Sequence, residues 1–198
     1  MYQELADEAC NRITAGITQA LEGTRPIKAI MDPYNPMGST AHVRFNTSRA
    51  SWETDARKCH TNRVVLDSDW EAELCRVVES HPRVKAYVKN HNLGFEVPYR
   101  LGSGTRRYRP DFIVLVDDLR GGDDPLHLVV EIKGYRGEDA KVKKATMETY
   151  WIPAVNNLGA FGRWAFAELT QVFDIESDFD LKVEQAINHV AEGIAGES

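Results

Sequence analysis

Apolar and polar positions along the chain follow two periods, and the switches between them mark out the elements. Phe112-Ile113-Val114-Leu115-Val116 and Leu128-Val129-Val130 are short apolar runs separated by Asp117 to Asp124, a stretch of glycine and acidic residues. Such runs predict buried strands paired antiparallel in one hairpin. The midpoint of the connection falls near position 121, so residues 111 and 131, symmetric about it, should lie opposite each other. Alternation along the second strand sends Glu131 and Lys133 to one face and Ile132 into the core. A helical period places Trp70, Leu74, Val77 and Val78 on one face of a helix that begins after Ser68 and ends by His81-Pro82. Leu93 to Leu101 is the expected next strand, closed by the turn Gly102-Ser103-Gly104. A helix from about Glu138 to Ile152, stopped by Pro153, and a strand from Arg163 to Leu169 complete the series. The order is α, β, β, β, α, β, that of an α/β fold.

The flanks are less regular. Residues 2–22 have helical composition and end at Gly23, and Pro26 to Ser39 reads as a linker rich in Pro, Gly, Asn and Asp. His42 to Thr47 fits a short edge strand, and Leu181 to Ile194 carries Val183, Ala186, Ile187 and Val190 at helical spacing. The expected organisation is a helical extension and linker over 1–39, the α/β domain over 40–176, and a C-terminal helix over 177–198 that packs on the domain or on a partner. With 42% hydrophobic residues, 198 positions can fill one sizeable core. No signal peptide and no apolar run long enough to span a bilayer is present. Cys10, Cys59 and Cys75 support neither a disulfide framework nor a zinc site, so a reducing cytoplasm and no disulfide-linked partner are expected. Cys59 and His60 are adjacent, and in an extended segment they point in opposite directions.

Candidate chemistry gathers where the hairpin strands end. Asp111 opens the first strand and Glu131-Ile132-Lys133 closes the second, so two acids and a lysine converge at one end of a sheet. Hard cations such as Mg²⁺ take oxygen ligands and usually rest on one or two carboxylates plus waters and substrate phosphate. Asp111 and Glu131 supply that number, and the backbone carbonyl of Ile132 can add a third oxygen; Mn²⁺ would substitute. An ammonium beside the ion can stabilise the charge that gathers on a phosphodiester under attack, a task for which Lys133 is placed. Acid-x-Lys also occurs at Asp139-Ala140-Lys141 and Asp180-Leu181-Lys182, but Pro-Asp occurs once. Only the 131 copy of acid-x-Lys follows an apolar strand and precedes a glycine.

This order, with Pro110-Asp111 on the second strand and Glu131-Ile132-Lys133 on the third, resembles the core of the PD-(D/E)xK nuclease superfamily. Leu66-Asp67-Ser68-Asp69-Trp70-Glu71, Val88-Lys89-Asn90, Val97-Pro98-Tyr99, Tyr108-Arg109-Pro110-Asp111-Phe112, Glu131-Ile132-Lys133-Gly134-Tyr135 and Met147 to Pro153 resemble the C-terminal endonuclease domain of the restriction subunit of type III restriction-modification systems. The likeness covers roughly residues 40 to 176. It implies a restriction-endonuclease-like fold with a mixed central sheet flanked by helices, metal-dependent DNA hydrolysis, and partnership with a superfamily 2 helicase motor and a methyltransferase subunit. It departs from that pattern in having neither a Gly-x-x-x-x-Gly-Lys-Ser/Thr phosphate loop nor an Asp-Glu-x-His box, so no ATP site is expected. The resemblance also implies an auxiliary acid from the first helix. Glu71, on the flank of its apolar face, is preferred to Glu73, although Ser68-x-x-Glu71 is equally a capping box. Tyr150, on the later helix, either adds a polar group to the site or packs helix against sheet.

Formal net charge is −6, which argues against non-specific nucleic-acid binding by the chain as a whole. Local charge differs. Arg100, Arg106, Arg107 and Arg109 fall in an acid-free stretch, and Lys133, Arg136, Lys141, Lys143 and Lys144 outnumber Glu138 and Asp139 in another. Both flank the carboxylates and are expected to hold a DNA backbone; for the last three lysines a solvated helix face is the alternative. The expected function is a Mg²⁺-dependent DNA endonuclease. Alternatives are an inert DNA-binding or assembly module of such a system, and a junction-resolving enzyme or exonuclease on the same fold.

Overall fold

A computed structural model describes residues 27–29, 38–119, 124–132 and 138–195. The helix expected over 2–22, most of the linker, Cys10, Lys133 and Arg136 lie outside the described residues. The elements are β1 (Ser51–Glu53), β2 (Arg63–Val65), α1 (Asp69–Ser80), β3 (Val84–Lys89), β4 (Val97–Leu101), β5 (Gly104–Tyr108), β6 (Phe112–Val116), β7 (Leu126–Ile132), α2 (Glu138–Thr146), α3 (Ile152–Asn156), β8 (Trp164–Leu169) and α4 (Ile175–Ala195). The central sheet has the order β3-β6-β7-β8. Its first two pairings are antiparallel and the last, β7 with β8, is parallel. A mixed sheet with helices on both faces is the α/β fold expected.

The hairpin β6–β7 pairs Phe112 with Val130 and Val116 with Leu126, so its registers are symmetric about 121 and residues 111 and 131 meet at its open end. Phe112, Val114, Leu126, Leu128 and Val130 point to one face, where Leu74, Val77 and Val78 of α1 and Phe179 and Val183 of α4 close the main core. Val129 points to the other face, into a second core with Tyr99 and Tyr108 of the β4–β5 hairpin, Met147 and Ile152. Alternation in a strand covered on both sides thus divides one apolar run between two cores.

Several expectations change. The first strand of the sheet is β3, not Leu93 to Leu101; of the latter only Val97–Leu101 is a strand, and it pairs with β5 in a separate two-stranded arm. A bulge between Val84 and Ala86 shifts the register, which breaks the alternation that would have revealed β3. Gly102, at φ +59°, turns the arm after Leu101 in the left-handed conformation that short hairpin loops require. Pro153 does not stop the later helix: Met147–Trp151 forms one π turn after α2, and Pro153 sits in the first turn of α3, where its missing N–H is tolerated. His42 to Thr47 is not a strand; a 3-10 turn spans Thr40–His42, and the strand nearby is β1, paired with β2. Finally, α4 starts at Ile175, so a boundary at 176 falls inside that helix, whose Ile175, Phe179, Val183 and Ala186 belong to the main core. Among the described residues no helix is long and apolar enough to cross a membrane.

Candidate active site

Asp111 and Glu131 lie side by side where β6 begins and β7 ends, both half-buried. One oxygen of Asp111, Oδ2, accepts the amide of Ile132 at 2.8 Å, which ties the start of one strand to the end of the other. The side chain of Ile132 packs on the main core, so Glu131 is turned to the opposite face, as alternation requires. There the hydroxyl of Tyr108 donates to Glu131 Oε2 at 2.6 Å. Burial, then the neighbouring charges of Glu131 and Asp111, push the Tyr108 phenol far above its ordinary pKa, so it stays a proton donor. Glu168 also acts on this phenol: it is the parallel-register neighbour of Glu131 on β8, and its carboxylate lies 3.6 Å from Lys144 Nζ.

The backbone of Asp111 is clamped by Asn90. The Asn90 amide donates to the Asp111 carbonyl at 2.8 Å, and its side-chain Nδ2 donates to the carbonyls of Pro110 and Phe95 at 2.9 and 2.7 Å. A cleft of about 380 Å³ opens beside Asp111, lined among others by Asp67, Lys89, His91 and Arg109.

Two carboxylates at neighbouring positions suit a hard cation, which needs no more than that from the protein. The expected auxiliary acid is not brought to them. Among the described residues no three Asp, Glu, His or Cys side chains come together in a way that can hold a metal ion. Glu71 is buried, its Oε2 2.6 Å from Lys89 Nζ and 2.6 Å from the Asp67 amide, while its own amide donates to Ser68 Oγ at 3.4 Å. The Asp67 amide and the Lys89 ion pair engage this carboxylate. Lys89 also donates to the Val65 carbonyl and to Asp67, both at 2.7 Å, so all its protons are used inside the protein.

The basic residues differ in what they meet. Arg107 and Arg109 both bind Glu96, at 2.8 and 2.5 Å, and the resulting hydrogen bonds, Arg107's first, hold the Glu96 carboxyl below the usual range. The stretch that is acid-free in sequence therefore meets an acid in the fold. Arg106 lies 3.9 Å from Asp139; Arg100, on the outer face of the arm, is exposed. Lys141 is exposed, but Lys143 and Lys144 are half-buried. Lys143 pairs with Asp139 at 2.6 Å and sits over the rings of Tyr99 and Tyr108, 5.7 and 5.6 Å from their centroids. Burial opposes its charge, yet Asp139 more than offsets this and its pKa is raised. Lys143 is thus held by Asp139 and two aromatic rings, while Lys144 keeps 42% of its side chain exposed. Tyr150 lies on the π turn, half-buried. Tyr108 and Glu168 are not singled out by the sequence pattern; the signal for Glu168 is a lone acid in an otherwise apolar strand.

A mixed sheet that presents two acids where its hairpin opens, between helical layers, defines a restriction-endonuclease-like nuclease domain. The family model described as an endonuclease domain matches residues 57–157, and the chain belongs to that family. No curated protein and no solved structure matches it.

Proposed function

We propose that this chain is a Mg²⁺-dependent DNA endonuclease and the nuclease part of a type III restriction-like helicase-nuclease system. The observation that carries the reading is the meeting of Asp111 and Glu131 at the open end of β6–β7, in a member of an endonuclease-domain family. Asp111, Glu131 and the Ile132 carbonyl would hold the ion. When bound, Mg²⁺ lowers the pKa of water and offsets phosphate charge. Lys133 would stabilise the negative charge that develops on the phosphodiester. Glu71 supports the site from behind by fixing the start of α1, and Asn90 fixes the backbone that carries Asp111.

Arg100, Arg106, Lys141 and Arg136 offer phosphate contacts, with Arg107 and Arg109 available when DNA displaces Glu96. Phosphate contacts position a duplex without reading it. Target choice and ATP-driven movement therefore fall to a methyltransferase partner and a helicase motor.

The test is cleavage of supercoiled plasmid by the purified chain. Nicking or cutting with Mg²⁺ or Mn²⁺, silence in EDTA, indifference to ATP and scattered product ends are expected. Cleavage undiminished in EDTA would overturn the metal-dependent reading, and one recurring cut site would show that the chain carries its own recognition.

A further inference from the structure

We infer that Tyr108 is a positioning residue that holds the Glu131 carboxylate in a fixed orientation for a divalent cation; the inference rests on the metal-dependent reading of the Asp111–Glu131 site. The last torsion of a glutamate side chain is soft. A carboxylate left to rotate at the rim of a sheet would have to be ordered by the ion itself. Here the phenol takes hold of Oε2 at 2.6 Å, and the phenol is itself fixed. Tyr108 is buried, with 4% of its surface exposed, in the second core beside Val97, Tyr99 and Met147. Its ring lies under Lys143, which Asp139 anchors from one turn earlier on α2.

The orientation is therefore transmitted through three elements: the β5 end places the hydroxyl, α2 covers the ring, and β7 delivers the glutamate. Hydrogen-bonded partners of metal-binding carboxylates commonly fix their orientation and tune their affinity. The competing account is that Glu131 merely satisfies a buried hydroxyl, as any buried phenol requires. That account makes no demand on cation affinity.

Calorimetric titration of the full chain with Mn²⁺, without DNA, separates the accounts. Wild type should bind Mn²⁺, Glu131→Gln should lose binding, and Tyr108→Phe should bind about 10- to 100-fold more weakly with its thermal midpoint close to wild type. Equal affinity in Tyr108→Phe and wild type, with Glu131→Gln unable to bind, would overturn the positioning role and leave the metal site intact. No Mn²⁺ binding by the wild type would overturn both.

Discussion

Two carboxylate clusters lie at the edge of the central sheet, and they are built on opposite principles. At Glu71 the acid is buried and closed: side-chain exposures of 6% for Glu71 and 7% for Lys89 accompany a 2.6 Å ion pair, and Asp67 and the Val65 carbonyl take the remaining ammonium protons. At the β6–β7 end the acids are half-buried, one accepts a backbone amide, the other accepts a phenol, and a cleft opens beside Asp111. A backbone amide and a phenol orient these carboxylates, and the Lys143 ammonium also acts on Glu131 through its charge. At Glu71 an ammonium at 2.6 Å pairs directly with the carboxylate. Under the proposed reading, the same residue type is scaffold in one place and would hold a cation in the other.

That contrast breaks first under alanine substitution at the open cluster. Asp111→Ala, Glu131→Ala and Lys133→Ala should each lose most plasmid cleavage, since the activation a bound metal supplies is worth several kcal/mol, while circular dichroism shows the fold unchanged. A variant of Asp111 that still cut at the wild-type rate would remove it from the site.

The closed cluster should respond in stability. Lys89 keeps Asp67 at 2.7 Å when Glu71 is removed, so the larger cost falls on the other partner: Lys89→Met leaves the buried Glu71 carboxylate without its counter-charge and should cost about 3–5 kcal/mol in chemical denaturation. Replacing both, as Glu71→Leu with Lys89→Met, should recover much of that loss. A Glu71→Ala protein of wild-type stability without cleavage activity would return this glutamate to the chemistry.

How far the two clusters are legible in the sequence differs for a physical reason. The meeting of Asp111 and Glu131 follows from the hairpin alone, because antiparallel strands joined by one connection are symmetric about its midpoint, and Phe112 does pair with Val130. The turn-out of Glu131 follows from alternation. Lys89 is hidden: it ends a strand whose bulge masks the alternation, and a lysine at such a position ordinarily signals solvent, not a buried partner 18 residues away on α1. Glu168 is hidden for another reason. Its neighbour on β7 is set by a parallel crossover through α2 and α3, and no symmetry in the sequence fixes that register. Glu96, separated from Arg107 by a turn, likewise shows its charge only once the arm folds back.

The arginines on that arm sharpen the comparison at the surface. Neutralising Arg106, Arg107 and Arg109 together should weaken DNA binding across all sequences and flatten the dependence of log K on log salt by roughly one unit for each phosphate no longer neutralised. Glu96→Gln should do the reverse and tighten binding, by releasing two guanidinium groups. Fluorescence anisotropy across a salt series reads both; an unchanged slope in the triple variant would leave these arginines as surface charge.

The smallest effect concerns pH. Burial, the leading cause in each case, lowers the pKa of His127, His81 and His91 below 6.5. A depressed folded-state pKa means that the unfolded chain binds protons first, so the stabilisation is complete above 6.5 and is lost as pH falls through the folded values. Thermal midpoints should decline on acidification from neutral pH, and His127→Gln, which removes a ring stacked on Trp164 at 4.5 Å, should flatten part of that decline. A midpoint that rose on acidification would contradict the sign.

The central claim is that the open cluster binds a metal ion which acts on a phosphodiester. Its most direct measurement is the initial rate of supercoiled-plasmid cleavage as Mg²⁺ is titrated into the wild type and into Glu131→Gln, which keeps the side chain's size and removes its charge. The account predicts a saturating, EDTA-reversible rate in the wild type and a nearly flat baseline in the variant; equal Mg²⁺ dependence in the two proteins would contradict it.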